Sequence, residues 1–159
     1  MDFRLLIGII LSFLPISELR GGIPFAIPYA IDHQIPIIIV FSLIVLVNIL
    51  GFFFAFLFLD NAHHLFLRNK FYNKIFEKYA LKLQKKADKF EKSYKNLGFI
   101  ALMIFVAVPL PGTGAWTGAL ISWFLGLDRK KSLVYISLGV LIAGVIMLLG
   151  TLGVIKVFS

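Results

Sequence analysis

Two stretches of this chain leave little choice of solvent. Residues 35–59, IPIIIVFSLIVLVNILGFFFAFLFL, and residues 132–155, SLVYISLGVLIAGVIMLLGTLGVI, contain no charged side chain. A helix of either length covers roughly 36 Å, enough to cross a hydrocarbon core of about 30 Å with some tilt. Both are expected to be transmembrane (TM) helices. Composition points the same way. A chain of 159 residues that is 60% hydrophobic and 15% charged cannot bury so much apolar surface as a soluble domain, because its surface-to-volume ratio is too high. One membrane domain, 1–159, is expected. With no Cys, disulfide and thiolate chemistry are excluded. Residues 5–14, LLIGIILSFL, follow Arg4 as in a signal peptide, but the run ends in Pro15 and then in charge, so it reads as part of the fold.

The remaining apolar regions are broken. Residues 5–14 lead into PISELRGGIP and then FAIPYAI; residues 97–110, LGFIALMIFVAVPL, lead into PGTGAWTG and then ALISWFLGL. Each apolar arm, as a helix, reaches only ~15–20 Å, about half a bilayer. Pro15 and Pro24 in the first region, and Pro109 and Pro111 in the second, stand where a continuous helix would be weakest. Either these are kinked TM helices, or they are re-entrant hairpins, 5–31 and 97–127, that dip in and return to the same side.

Positive charge favours the hairpins. Ten of the 16 basic residues lie in 68–95, which should be cytoplasmic. Were 97–127 to cross the membrane, Arg129, Lys130 and Lys131 would land outside, against the positive-inside rule. A hairpin returns them to the cytoplasm. The expected topology in the cell membrane has 60–96 and 128–131 cytoplasmic and both termini outside. The net charge of +8 is spread beside apolar spans, so anionic lipid is the expected partner and nucleic acid is not.

The chain also reads as a duplication. A shift of 96 places Leu14-Pro15 on Leu110-Pro111, Ser17 on Thr113, Gly22 on Gly118 and Asp32 on Asp128. One TM helix separates the copies, so they should be inverted with respect to each other, with broken helices meeting near the midplane. The expected fold is all-α: repeat 1 (4–59), a segment 60–96, and repeat 2 (97–157). In the joining segment, Leu65, Tyr72, Phe76, Tyr79, Leu83, Ala87, Phe90 and Tyr94 recur at helical steps with lysines on other faces, as in a basic amphipathic helix on the anionic leaflet. A partner-protein helix is the alternative there.

Glu18 and Arg20 are charges where lipid is expected, each costing at least ~2.5–3.5 kcal/mol at bilayer depth. Two readings stand side by side. The pair neutralises itself as a structural ion pair, or Arg20 offers its planar fork to a phosphate or carboxylate while Glu18 exchanges a proton. Gly21, Gly22, Gly112, Gly114 and Gly118 either admit a ligand close to the backbone or let two hairpins pack tightly. Thr113, Trp116 and Thr117 add neutral donors, and a second arm's first N–H groups favour an anion. Pro24, Pro28 and Pro36 are expected at helix starts or kinks, Asp32 and Asp128 as caps of the long helices, and Asn48 in an interhelical hydrogen bond. PGTGAWTG lacks the Lys-Ser/Thr of a P-loop. His63 and His64 are adjacent and point ~100° apart, so no metal site is expected. No nucleophile, base and orienting group come together; neither an enzyme nor a cofactor is expected.

The stretches ELRGGIPFAIPYA and PLPGTGAWTGALISWFLGL resemble the signatures of the small multi-drug export protein family, over nearly the whole chain. That family is in turn similar to the DedA/VTT superfamily. The resemblance implies facing re-entrant hairpins, each followed by a TM helix, and transport of a lipid-linked phosphate or phospholipid with use of the proton gradient. It also implies roles for membrane-embedded acidic residues and arginines, for which Glu18 and Arg20 are the matching types. The second hairpin departs from the DedA pattern by carrying no charge, and Arg129 at its edge is the nearest guanidinium. The function expected is transport of an anionic lipid or lipid-linked phosphate. The alternatives are a proton-coupled exporter of cationic drugs and a non-transporting membrane organiser acting through 65–94. With two full spans, a homo-oligomer is a candidate for enclosing the path.

Overall fold

A computed structural model describes residues 3–66, 92–110 and 112–158, with side chains for 3–59, 97–110 and 112–157. The described residues form six helices: α1 (Phe3–Phe13), α2 (Glu18–Asp32), α3 (Ile37–Phe66), α4 (Lys92–Ala107), α5 (Ala115–Phe124) and α6 (Arg129–Phe158). Most of the basic segment 68–95, its amphipathic pattern and Pro111 lie outside the described residues.

Ile37–Leu59 and Arg129–Val157 are long and apolar enough to cross a membrane, in agreement with the two uncharged runs. Only 33% of the apolar stretch in α3 and 22% of that in α6 is buried inside the molecule. A core helix of a soluble protein would be mostly covered, so the exposed faces, with Phe53, Phe54, Phe58 and Leu149 among them, belong against lipid. α3 and α6 run in opposite directions. Phe41 and Val45 meet Gly144, and the Arg129 guanidinium lies 5.8 Å from the Phe56 ring centroid.

Both broken regions are interrupted in the fold, between Phe13 and Glu18 and between Ala107 and Ala115. α1 and α2 lie against each other in opposite directions, with Gly8 beside Ala26 and Ser12 beside Gly22. In the second region α4 packs mainly along α6, running the same way. Phe99 stacks on Tyr135 at 5.4 Å and lies 5.9 Å from Lys131 Nζ, while Met103 and Val106 meet Gly139. The chain that leaves Phe99 is therefore back beside it by Lys131.

Three local expectations change. Pro24 does not break the first hairpin; both Pro24 and Pro28 lie inside α2, which starts already at Glu18. Each proline removes one donor, leaving the carbonyls of Arg20 and Pro24 without their helical partners, and the helix continues. Asp128 does cap α6, its Oδ1 accepting from the Lys131 N–H at 2.9 Å. Asp32 does not cap α3: it ends α2, and the Pro36 carbonyl accepts the N–H groups of Ile39 and Val40 instead. Finally, the second arm of the second region is about one turn shorter than its counterpart. Gly126, at φ 62°, ends α5 where the Leu127 N–H reaches back to the Ser122 carbonyl, whereas α2 runs on to the same kind of turn at Gln34, φ 56°.

Candidate functional site

A helix interrupted beside the middle of α3, where Ser12 meets Asn48 and Phe13 meets Gly51, leaves its last carbonyls and first N–H groups in need of partners. Here each interruption satisfies the other. Gly114 is the N-cap of α5 and has no side chain with which to cap it. The Glu18 carboxylate does so from the other broken region, accepting the N–H of Ala115 and the N–H of Trp116 at 3.1 Å each. A Cβ at Gly114 would collide with that carboxylate, so the glycine is required for space. Glu18 is 6% exposed and holds φ at 47°, a left-handed conformation that non-glycine residues rarely adopt. Such a strained residue persists only where its surroundings hold it.

Arg20 enters from the same turn of α2. Its Nη2 donates to the Thr113 carbonyl and, at 2.9 Å, to Thr113 Oγ1. The Thr113 hydroxyl lies 2.6 Å from the Val108 carbonyl and 2.9 Å from that of Leu110; its single proton serves one of them, and its lone pairs receive Arg20 and the Leu110 N–H. Ser17, which the shift of 96 places on Thr113, donates back across its own break to the Leu11 carbonyl at 2.6 Å. The ends of α1 are met in turn: Asn48 Nδ2 donates to the Ser12 carbonyl at 2.9 Å, and Trp116 Nε1 to the Phe13 carbonyl at 3.2 Å.

Glu18 and Arg20 thus take their hydrogen-bond partners from the second broken region instead of closing on each other, although their opposite charges still attract. An isolated charge inside a bilayer costs at least ~2.5–3.5 kcal/mol. Hydrogen bonds to a charged group return about 1.5–3 kcal/mol each, and the N-terminal end of a helix adds roughly 0.3–1 kcal/mol. Two such bonds are enough to hold a docked carboxylate, and a charged Glu18 withdrawn from them would stand at a loss.

Other predicted site residues are placed as follows. Gly22 and Gly118 sit at helix contacts: a Cβ on Gly22 would lie 2.8 Å from the Gly8 carbonyl, and one on Gly118 would lie 2.7 Å from Val106. Gly21 faces Ser17 and Leu11. Gly112, φ 84°, is exposed at the tip with open space around it. Thr117 is half-buried in the first turn of α5, Pro15 is exposed between α1 and α2, and Pro109 is half-buried between α4 and α5. Asn48 makes the expected interhelical bond. Sequence reasoning missed that the anion on the α5 N-terminus is the chain's own Glu18. The available signal was Gly114, a side-chain-free position ahead of a helix that needs a cap.

Together, the two lipid-length helices and this polar junction between two broken ones define a helical membrane protein. Residues 18–146 match the family described as "Putative small multi-drug export protein", a match that begins at Glu18, directly after the first break, and takes in the second. The chain belongs to that family. No curated protein and no solved structure is matched by the chain.

Proposed function

We propose that this protein is a transporter that moves an anionic lipid or a lipid-linked phosphate across the cell membrane together with a proton. The observation that carries the proposal is the Glu18 carboxylate seated on the N–H groups of Ala115 and Trp116, with Arg20 on Thr113 beside it. A helix N-terminus flanked by a guanidinium is hardware for an anion, and the chain's own carboxylate occupies it. Protonation of Glu18 cancels the charge that holds it there. A phosphate oxygen then takes the two N–H groups and the Arg20 fork, and departure of the phosphate lets Glu18 lose its proton and return. One anion displaces one carboxylate charge, so no unpaired charge accumulates at this depth.

In this proposal the broken regions are re-entrant hairpins from opposite faces in an inverted repeat. The neighbour relations of Phe99 with Lys131 and Tyr135, and of Arg129 with Phe56, support it. They gather the ends of α3, α4 and α6 at one pole of the molecule, the cytoplasmic one by its charge, and leave both termini at the other. A distant relation to the DedA/VTT superfamily, contact of segment 68–95 with anionic lipid and assembly with a second copy belong to the same proposal.

The test is lipid flipping in proteoliposomes containing a labelled phosphate lipid. Arg20→Ala slows flipping about 10- to 100-fold, the value of one charge-assisted hydrogen bond. Unchanged flipping at equal protein level removes Arg20 from the mechanism.

The family description favours a second reading, export of cationic drugs with Glu18 alternating between drug and proton. Arg20, two residues away, repels such a cargo. Drug-dependent protection of Glu18 from carbodiimide labelling would support this reading over the first.

A further inference from the structure

Asn48 is fully buried in the middle of α3, and its two amide atoms are treated differently. Nδ2 donates to the Ser12 carbonyl, which fixes the orientation of the amide, because the reverse would set two oxygens against each other. Oδ1 has no hydrogen-bond partner among the described residues. A buried acceptor left in that state costs about 1–3 kcal/mol and calls for a ligand. Asn48 also lines a cavity of about 10 Å³ together with Glu18 and Arg20. That volume is at the lower limit for one water molecule and too small for a phosphate. Both hydrogen bonds of Arg20 run from Nη2, which leaves its Nε–H and Nη1–H groups as further donors of a residue that lines the cavity.

We propose that this cavity binds a single water molecule, donating to Asn48 Oδ1 and to the Glu18 carboxylate and accepting from Arg20, and that this water delivers the proton to Glu18. The role of the proton rests on the proposed function above; the water site does not. One O–H bond breaks at the water as one forms at a Glu18 oxygen, and the water is restored by a proton from solvent. Glu18 and Arg20 are the charged groups at the cavity. The walls supplied by α3, α4, α5, α6 and Pro109 carry no titratable side chain. Asn48 is a positioning residue here: it touches the water and acts on Glu18 through it.

The experiment uses the full chain in lipid. A structure at a resolution that shows ordered water should place one molecule within about 2.7–3.2 Å of both Asn48 Oδ1 and a Glu18 oxygen. Ala143, 6% exposed, also lines the cavity. Ala143→Val adds two methyl groups at the cavity wall without removing a polar group, and Asn48→Leu removes the acceptor, along with the donor to Ser12, at similar volume. Either variant should lose the water and slow carbodiimide modification of Glu18, which starts from the protonated carboxyl, at least about tenfold, a barrier change of about 1.4 kcal/mol. A dry cavity in the native chain, or full-speed modification in both variants, overturns the proposal. A water that is present and lost as expected, in a chain that moves no lipid, upholds the site and overturns the transport reading instead. Lipid movement that needs Glu18 and Arg20 across a dry cavity does the reverse.

Discussion

At the scale of single residues, the junction depends on shape as much as on charge. Gly114 leaves room for the Glu18 carboxylate over the first turn of α5, and Gly114→Ala would drive a methyl group into it. This substitution should undock Glu18 and lower stability by about 2–4 kcal/mol, because a buried charge is left without its partners. Combining it with Glu18→Gln should cost less than the sum of the two single changes, as expected for residues in contact; a thermal unfolding cycle in detergent measures the coupling. Arg20→Lys should behave nearly as Arg20→Ala does in lipid flipping, since the proposed phosphate is received by two nitrogens of a planar fork, which an ammonium on a flexible stem cannot reproduce. Full activity of Arg20→Lys would reduce Arg20 to a point charge. The identities of these residues were legible in the sequence, because Glu18 and Arg20 are charges among Ile, Leu and Phe. Their pairing was not. Two charges two positions apart read most simply as each other's partners, whereas their observed partners lie more than 90 positions away in the chain.

At the scale of helices, close approach is set by glycine. A Cβ on Gly139 would lie 2.7 Å from the Met103 carbonyl oxygen, and one on Gly22 would lie 2.8 Å from the Gly8 carbonyl oxygen. These neighbours are backbone and cannot give way, so Gly139→Ala and Gly22→Ala should each destabilise by about 1–3 kcal/mol. Gly153, in the same helix as Gly139, has open space around it. Gly153→Ala should stabilise by about 0.5–1 kcal/mol, since it removes only backbone freedom. Equal effects at the two positions of α6, measured by unfolding, would contradict the packing account. The long helices were legible because a run of uncharged apolar residues has one stable form in lipid. The breaks were legible as breaks. The extent of α2 was not, because a membrane helix tolerates Pro24 and Pro28 inside it, and proline alone was a misleading stop signal. Pro15 sits in a true turn, and nothing in its own identity distinguishes it from Pro24.

At the scale of the whole molecule, the proposal requires that both broken regions turn back before crossing. Lys130 and Lys156 stand near opposite ends of α6, roughly 39 Å apart along a helix axis. The native chain has no Cys, so single cysteines report sidedness without background. Lys130→Cys should react with a membrane-impermeant maleimide only from the cytoplasmic face, and Lys156→Cys and Arg4→Cys only from outside. Reaction of the Lys130 position from the same face as Lys156 would end the hairpin topology. The order of arms, breaks and long spans was visible in the sequence as a shift of 96. The unequal arms were not: α5 stops about a turn early at Gly126, and a shift that matches so few identities does not fix lengths. The central step of the proposed cycle is one substitution, in which an anion takes the place of the Glu18 carboxylate once that group is protonated. The most direct measurement is the simultaneous flux of protons and of a labelled phosphate lipid through the native chain in proteoliposomes, under an imposed lipid gradient. The account predicts equal numbers of protons and lipids moved in the same direction, with both fluxes lost together in Glu18→Gln. Lipid movement that proceeds unchanged in Glu18→Gln, with no accompanying proton, would contradict it.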